Sequence, residues 1–145
     1  MSVADVSAGT QGTIRWARPL VALGAVLAPV LIHLVAVQLF DVELTVPESP
    51  GSDVWAELEL GPVIGASIIA VLLGWALLAV LERVVPARAL TIWTVVAVVV
   101  MVLSLPWNPD FTAGERVVIG AMHLAIGAIL IIGMHRTAAG DPSTG

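Results

Sequence analysis

The chain contains no cysteine, no lysine and no tyrosine, and charged residues make up only 12% of its 145 residues. Without cysteine, thiol redox catalysis, disulfide exchange and thiolate metal sites are excluded. The six basic residues are all arginines, and they form no basic patch that would neutralise nucleic-acid phosphates. We therefore expect no nucleic-acid partner. We find no HExxH motif and no Ser/His/acid set at a shared depth, so we do not expect an enzyme either.

Hydrophobic residues make up 59% of the chain and fall into four long runs. Each run is close to the roughly 20 residues that cross a bilayer as a helix. The first run is longer than the apolar part of a signal peptide, and the runs lack the alternating polarity of barrel strands. The sequence therefore predicts an all-α, four-helix transmembrane bundle over residues 15–136, with spans at about 16–40, 60–81, 89–107 and 117–134. The tails, 1–14 and 137–145, are predicted to be disordered.

The arginines are distributed unevenly between the two sides of the predicted bundle. Arg116 alone lies on one side, and the other five lie at the opposite ends of the spans: Arg15, Arg18, Arg83, Arg88 and Arg136. The positive-inside rule then places the N-terminus and the C-terminus in the cytoplasm, with the protein in the plasma membrane. Glu82 is expected to form an interfacial ion pair with the arginines beside it in the second connection.

The first outer loop, residues 41–59, carries six carboxylates and no basic residue. Its first part alternates apolar and polar residues, and its second part, after a candidate N-cap at Ser52, is expected to form a short helix. We interpret the carboxylates as a solvated outer cap. The alternative interpretation is a funnel that concentrates cations near the membrane surface.

Each predicted helix places one polar side chain in the outer half of the bilayer. His33 lies about 7 Å and His123 about 4 to 5 Å from the midplane, at 1.5 Å per residue. Ser67 and Ser104 lie at similar depth. Intramembrane ionisable residues are functional candidates, so we predict a ligand-binding pocket formed by His33, His123, Ser67 and Ser104. The alternatives are histidines that only hold the bundle together and serines that bond to their own helices.

Small residues are predicted to mark the helix contacts, because association in lipid depends on close backbone approach. In helix two they recur at Gly61, Gly65, Ala66, Ala70 and Gly74. Trp93 lies near the end of its run, where an indole prefers the membrane interface.

The short arginine-bearing connection after helix two, the SLPWNPD segment that closes helix three and the AMHLAIGA segment in helix four occur together over residues 16–136. This pattern resembles an uncharacterised actinobacterial family of four-helix membrane proteins. The resemblance implies the fold and a membrane location, and it assigns no reaction or ligand.

Three functions are compatible with these features. The first is a non-enzymatic membrane protein that binds or transports a small solute or cation in the predicted pocket. The second is a b-type haem protein with His33 and His123 as axial ligands, where Gly120 and Gly127 give the macrocycle space. The third is a structural or assembly partner of another membrane protein. Conduction through only four helices would require a homo-oligomer.

Overall fold

Four helices and one short hairpin form the structure, a computed structural model that describes residues 3–49 and 51–139, with side chains described for 16–49 and 51–138. The helices are α1 (Val3–Phe40), α2 (Leu60–Val84), α3 (Ala89–Leu103) and α4 (Ala113–Ala139). The antiparallel strands β1 (Thr45–Pro47) and β2 (Trp55–Glu57) lie between α1 and α2, and a 3-10 turn (Pro86–Arg88) joins α2 to α3.

The predicted all-α four-helix architecture is confirmed. Four helical segments are long and apolar enough to cross a membrane: Trp16–Phe40, Leu60–Val84, Pro86–Leu103, which joins the 3-10 turn to α3, and Ala113–Ala138. Many large apolar side chains face outward, among them Leu20, Ile69 and Val95 at about three-fifths exposure. Such surfaces suit hydrocarbon rather than water. The chain is therefore a multi-pass membrane protein.

The ends of the elements differ from the prediction for local reasons. The third helix ends at Leu103, well before Trp107, because Pro106 disfavours the helical conformation in the residue before it. The N-terminal segment was predicted to be disordered, yet α1 already begins at Val3, since extending an existing helix costs far less than nucleating one. The predicted C-terminal tail is helical up to Ala139, and its remaining residues, 140–145, lie outside the described part.

The helices form a closed ring in which α1 packs against α4 and α2, while α3 packs against α2 and α4. The most extensive contact is between α1 and α4. We call the end that carries the β-hairpin and the α3–α4 loop the hairpin end. The opposite end, with the α2–α3 turn, the beginning of α1 and the end of α4, is the terminal end.

Two clusters of apolar side chains fill the ring, one towards each end. The terminal core consists of Ala25, Val71, Leu78, Trp93, Leu130 and Met134. The hairpin core is formed by Val63, Ile119 and Met122, with Val30, Ile32, Val46, Leu58, Phe111 and Val118 packed against them.

Trp93 is not at the membrane interface as predicted but is only 1% exposed, within the terminal core. Its indole Nε1–H donates to the Gly74 carbonyl oxygen across the α2–α3 contact, at 2.7 Å. A side chain at Gly74 would contact the indole, since a Cβ added there would lie 3.9 Å from its Cζ2. The glycine therefore lets the ring lie against the α2 backbone.

The other small residues of α2 do not mark helix contacts, contrary to the prediction. Gly61, Ala66 and Ala70 are exposed, and a Cβ added at Gly61 or Gly65 would meet no atom within 4 Å. The close approaches instead involve two glycines of α4: a Cβ added at Gly133 would collide with the Val21 side chain of α1, and one added at Gly127 with Met101 of α3. Small residues on a helix in hydrocarbon can face lipid without penalty, so their spacing alone does not identify a contact.

Two polar contacts join the helices near the terminal end. Glu82 forms its ion pair with Arg18 of α1, at 2.9 Å, and not with the neighbouring arginines of its own connection. Side chains one residue apart on a helix point in different directions, which explains why the partner comes from another helix. His135 Nε2 lies 2.9 Å from the Thr94 hydroxyl, whose proton is donated to the Leu90 carbonyl. The imidazole therefore donates to Thr94.

Candidate functional site

His33 is the most unusual of the four predicted site residues. Its side chain lies on the inner face of α1, one turn after the buried Pro29, and only 6% of it is exposed. Its Nδ1 is fully buried and has no hydrogen-bond partner in the described part of the chain. An unpaired buried polar atom costs about 1 to 3 kcal/mol, so in a native protein it calls for a physical explanation.

The two serines satisfy their own hydrogen-bonding needs, as the alternative interpretation expected. Ser67 is 2% exposed, and its hydroxyl donates to the Val63 carbonyl one turn earlier, at 2.6 Å. Ser104 makes the same kind of bond to Val100, at 2.7 Å, but its side chain is exposed. Because α3 ends before it, Ser104 lies at the rim of the bundle and does not join a buried pocket.

His123 is half-buried on α4, and its Nδ1 lies 2.8 Å from the Ile119 carbonyl oxygen. A carbonyl only accepts, so Nδ1 carries the proton and Nε2 presents a lone pair in the neutral ring. The space expected beside Gly127 is filled, since a Cβ added there would collide with the Met101 sulfur. Gly120 is buried, but a Cβ added there would have no atom within 4 Å.

An apolar groove of about 730 Å³ lies between α1 and α4 near the hairpin end. None of the four predicted site residues lines it. Its walls are Leu31, Ile32, Val35, Ala36, Phe40, Val42, Ala113, Gly114, Val117, Val118 and Ala121. All of these side chains are apolar, so the groove offers no group that would orient a polar ligand.

Glu115 is the third buried polar residue, with 4% exposure, and it was not among the predicted site residues. One carboxylate oxygen, Oε2, accepts the Thr112 N–H at 2.7 Å and the Thr112 hydroxyl at 2.8 Å. The Thr112 hydroxyl in turn accepts the Glu115 N–H at 3.2 Å. This reciprocal arrangement is a capping box at the start of α4.

The second carboxylate oxygen of Glu115 bonds to the β-hairpin. Oε1 accepts the Thr45 N–H at 3.0 Å and also the Thr45 hydroxyl. Four donors therefore satisfy a carboxylate that burial would otherwise leave without water. The same side chain that caps α4 ties β1 to the bundle.

The β-hairpin and its flanking residues pack onto this end of the helix ring. Leu44, just before β1, is 2% exposed, and its carbonyl accepts the Leu58 N–H at 2.8 Å. The Trp55 ring meets Phe111 of the α3–α4 loop edge-on, with ring centroids 5.1 Å apart. The short helix expected after Ser52 is absent from this described segment, which instead turns and forms β2. Strand pairing with β1 satisfies its backbone and overrides the local helix signal.

The six carboxylates of the loop, Asp41, Glu43, Glu48, Asp53, Glu57 and Glu59, are all exposed. Within the described ranges, no group of three His, Asp or Glu side chains is placed to hold a metal ion. Their exposure fits the solvated outer cap, and the cation funnel stays a prediction.

Residues 9–140 match a family of unknown function, DUF6069. The chain belongs to that family. No curated protein and no solved structure matches it. The predicted likeness to an uncharacterised family of membrane proteins is thereby confirmed, while the actinobacterial origin stays a prediction.

In this DUF6069 chain the sequence does contain a pattern that indicates a structural role for Glu115. Thr112-Ala113-Gly114-Glu115 fits the capping-box pattern of a threonine followed three residues later by glutamate, before an apolar run. That pattern locates the start of α4 and explains why the helix begins at Ala113 rather than near Val117. The bond from Glu115 to Thr45 joins residues 70 positions apart and has no local signal.

Proposed function

We propose that this chain is a non-enzymatic membrane protein that binds a small, neutral, hydrogen-bonding solute at His33. One observation carries the proposal: a side chain that is 6% exposed has a buried Nδ1 without a partner. A solute that hydrogen-bonds to Nδ1 would remove the cost of leaving this atom unpaired. Val30 and Ile32, in the turn of α1 before His33, belong to the apolar hairpin core, and an apolar setting of this kind favours a solute with a largely apolar body.

The environment of His33 favours a neutral solute over the cation considered from sequence. Among the described residues, the buried polar side chains are His33, Ser67 and Glu115. Both oxygens of Glu115 already accept two hydrogen bonds each, and Ser67 bonds to its own helix. A desolvated cation would find no free carboxylate there to compensate for its lost hydration.

A ligand-dependent thermal shift tests this proposal. Purified protein in detergent is heated with a panel of small neutral amides and alcohols, and the same panel is applied to His33→Phe. Phenylalanine keeps a planar ring but removes both nitrogens. We expect at least one solute to raise the Tm of the parent, as ligands of the native state do, and not that of the variant. Identical shifts in both proteins across the panel would refute binding at His33.

His123→Phe is the matched control for that experiment. It makes the same change in a ring whose Nδ1 is already bonded to Ile119. The proposal requires that this variant keep the ligand-dependent shift of the parent. Loss of the shift in both variants would instead indicate that the two histidines act together, as the sequence had suggested.

A b-type haem site is the second candidate, and the hydrogen bond of His123 favours it. Histidines that bind metals commonly donate one ring N–H to a carbonyl, which leaves the other nitrogen for the metal. Met101 occupies the side of Gly127, so the macrocycle would have to use the open space beside Gly120. An absorption spectrum after expression with added haem decides between the candidates. A Soret band that His33→Phe and His123→Phe both abolish would favour haem over the neutral solute.

An assembly role stays a prediction as well, and the groove between α1 and α4 is the surface that suits it. If a second membrane protein bound there, replacing Ala121 by a bulky residue would block it. Co-purification of wild type and Ala121→Phe would show this as the loss of a specific companion band.

A further inference from the structure

We infer that the β-hairpin is a lid over the His33 site and that the bonds from Thr45 to Glu115 are its latch. This inference rests on the proposed function for its purpose, but the motion that it predicts can be measured without any ligand. The hairpin is here residues 45–49 and 51–57. Among the described residues, its hydrogen bonds to the helices are the two from Thr45 to the buried Glu115.

The β-hairpin packs against the apolar core at the end of the bundle that is nearer to His33. Val46 of β1 and Leu58, just after β2, pack on the hairpin core, together with Val30 and Ile32 from the turn of α1 that precedes His33. His33 is seven residues before the end of α1 at Phe40, which places it about 10 Å below that end. A water-soluble molecule entering from the hairpin end must therefore displace the hairpin first.

The tip of the hairpin is free while its base is held. Glu48, Ser49, Gly51, Asp53 and Val54 at the tip are all exposed. At the base, Leu44 is buried and Thr45 donates twice to Glu115. Asp41, between α1 and the hairpin, has a left-handed φ of 54°, so the chain changes direction there. A segment that is anchored at one edge and solvated at the other can pivot as a unit.

Glu115 is suited to be the latch because its two oxygens have separate tasks. Oε2 serves the capping box, whereas Oε1 bonds only to Thr45 among the described residues. Opening the hairpin would thus cost the Thr45 bonds and leave the start of α4 intact. A hydrogen bond to a charged acceptor changes such an opening equilibrium by about ten- to a hundredfold.

The cysteine-free chain permits a direct test by thiol labelling in membranes. Ser67→Cys places a thiol at a side chain that is 2% exposed and about as far below the hairpin as His33. Labelling by a membrane-impermeant maleimide is then compared in this background with and without Glu115→Gln. Glutamine still completes a capping box, but its amide nitrogen cannot accept from Thr45. We expect labelling to become about tenfold faster or more.

Thr45→Val is the second latch variant, and it keeps the β-branched shape while removing the hydroxyl. The matched control is Thr94→Val, which removes a threonine contact to His135 at the terminal end. Thr45→Val should accelerate labelling at position 67, and Thr94→Val should leave the rate unchanged. Equal rates in the parent and both latch variants would overturn the lid.

A general loosening of the fold is separated from lid opening by a second reporter position. Leu78 is 2% exposed in the terminal core, so Leu78→Cys reports on the opposite half of the bundle. The lid predicts that Glu115→Gln leaves labelling at position 78 unchanged, and parallel acceleration at 67 and 78 would overturn it. If the lid opens but no solute raises the Tm, the binding proposal is refuted and the lid is not. The two failures are therefore distinguishable.

Discussion

At the scale of single residues, His33 combines burial in a membrane bundle with an unpaired ring nitrogen. Ionisable side chains inside membrane bundles are expensive and are functional candidates, and a buried polar atom without a partner calls for an explanation. Pro29 lies one turn before His33 on the same face of α1, and both side chains are buried. The bond of Ser67 to its own helix was one of the two interpretations of the sequence. The unpaired Nδ1 of His33 has no local signal, because it depends on which side chains of the other helices face it.

Replacing His33 by phenylalanine should therefore not weaken the fold. The variant removes an unsatisfied polar atom and keeps the ring, so we expect the free energy of unfolding to stay the same or rise by about 1 kcal/mol. The same change at His123 breaks the hydrogen bond to Ile119, so the free energy of unfolding should fall or stay unchanged. Unfolding in detergent measures both variants. A large loss for His33→Phe would show that its imidazole holds the bundle together.

Trp93 is the residue whose role differs most from the prediction. We expect Trp93→Phe to reduce the free energy of unfolding by roughly 1 to 2 kcal/mol, from the lost bond to Gly74 and the space left by the smaller ring. Trp107→Phe is the matched control, because it also removes an indole bond, to Val102, but at an exposed position. Similar losses for the two variants would mean that the burial of Trp93 contributes little.

At the scale of the elements, the apolar runs and the turn residues predict the helices well, while the contacts between them depend on which small residues meet a neighbour. Pro106 and the Thr112–Glu115 capping box explain two helix ends from local chemistry alone. The pairing of β1 with β2 depends on backbone bonds across the loop, and the bond of Glu115 to Thr45 depends on the packing of α4 against that hairpin. Neither has a periodic signal.

Three glycines of α4 should respond in a graded way to substitution by alanine. At Gly133 the new Cβ would collide with three Val21 atoms, including its Cβ, so α1 must move, at a cost of roughly 1 to 3 kcal/mol. At Gly127 it would meet the flexible end of Met101, which can shift at a smaller cost.

Gly120→Ala completes the series as its control. A Cβ there meets nothing within 4 Å, so the higher helix propensity of alanine should leave stability unchanged or raise it by up to about 1 kcal/mol. Thermal unfolding of the three variants in one detergent gives the order. If Gly120→Ala were the most destabilised, the ring would have to pack differently around α4.

At the scale of the whole molecule, four membrane-crossing helices predict that both termini lie on one side of the membrane, and we expect the arginines to decide which side. Arg18, Arg83, Arg88 and Arg136 lie towards the terminal end, in short connections or close to span ends where the positive-inside rule applies. Arg116 is the exception, and its guanidinium donates to the Asn108 and Pro109 carbonyls of the α3–α4 loop. Its structural task there accounts for an arginine on the opposite side.

We therefore expect the terminal end to face the cytoplasm of the plasma membrane and the hairpin to face outward. A reporter that fluoresces only in the cytoplasm should be active when fused after Gly145, and a phosphatase that is active only outside should work when inserted at Gly51. Gly51 suits the insertion because it is exposed at the hairpin tip, in a left-handed turn with φ 82°. The reverse activities would place the lid in the cytoplasm, where a solute would have to reach His33 from inside the cell.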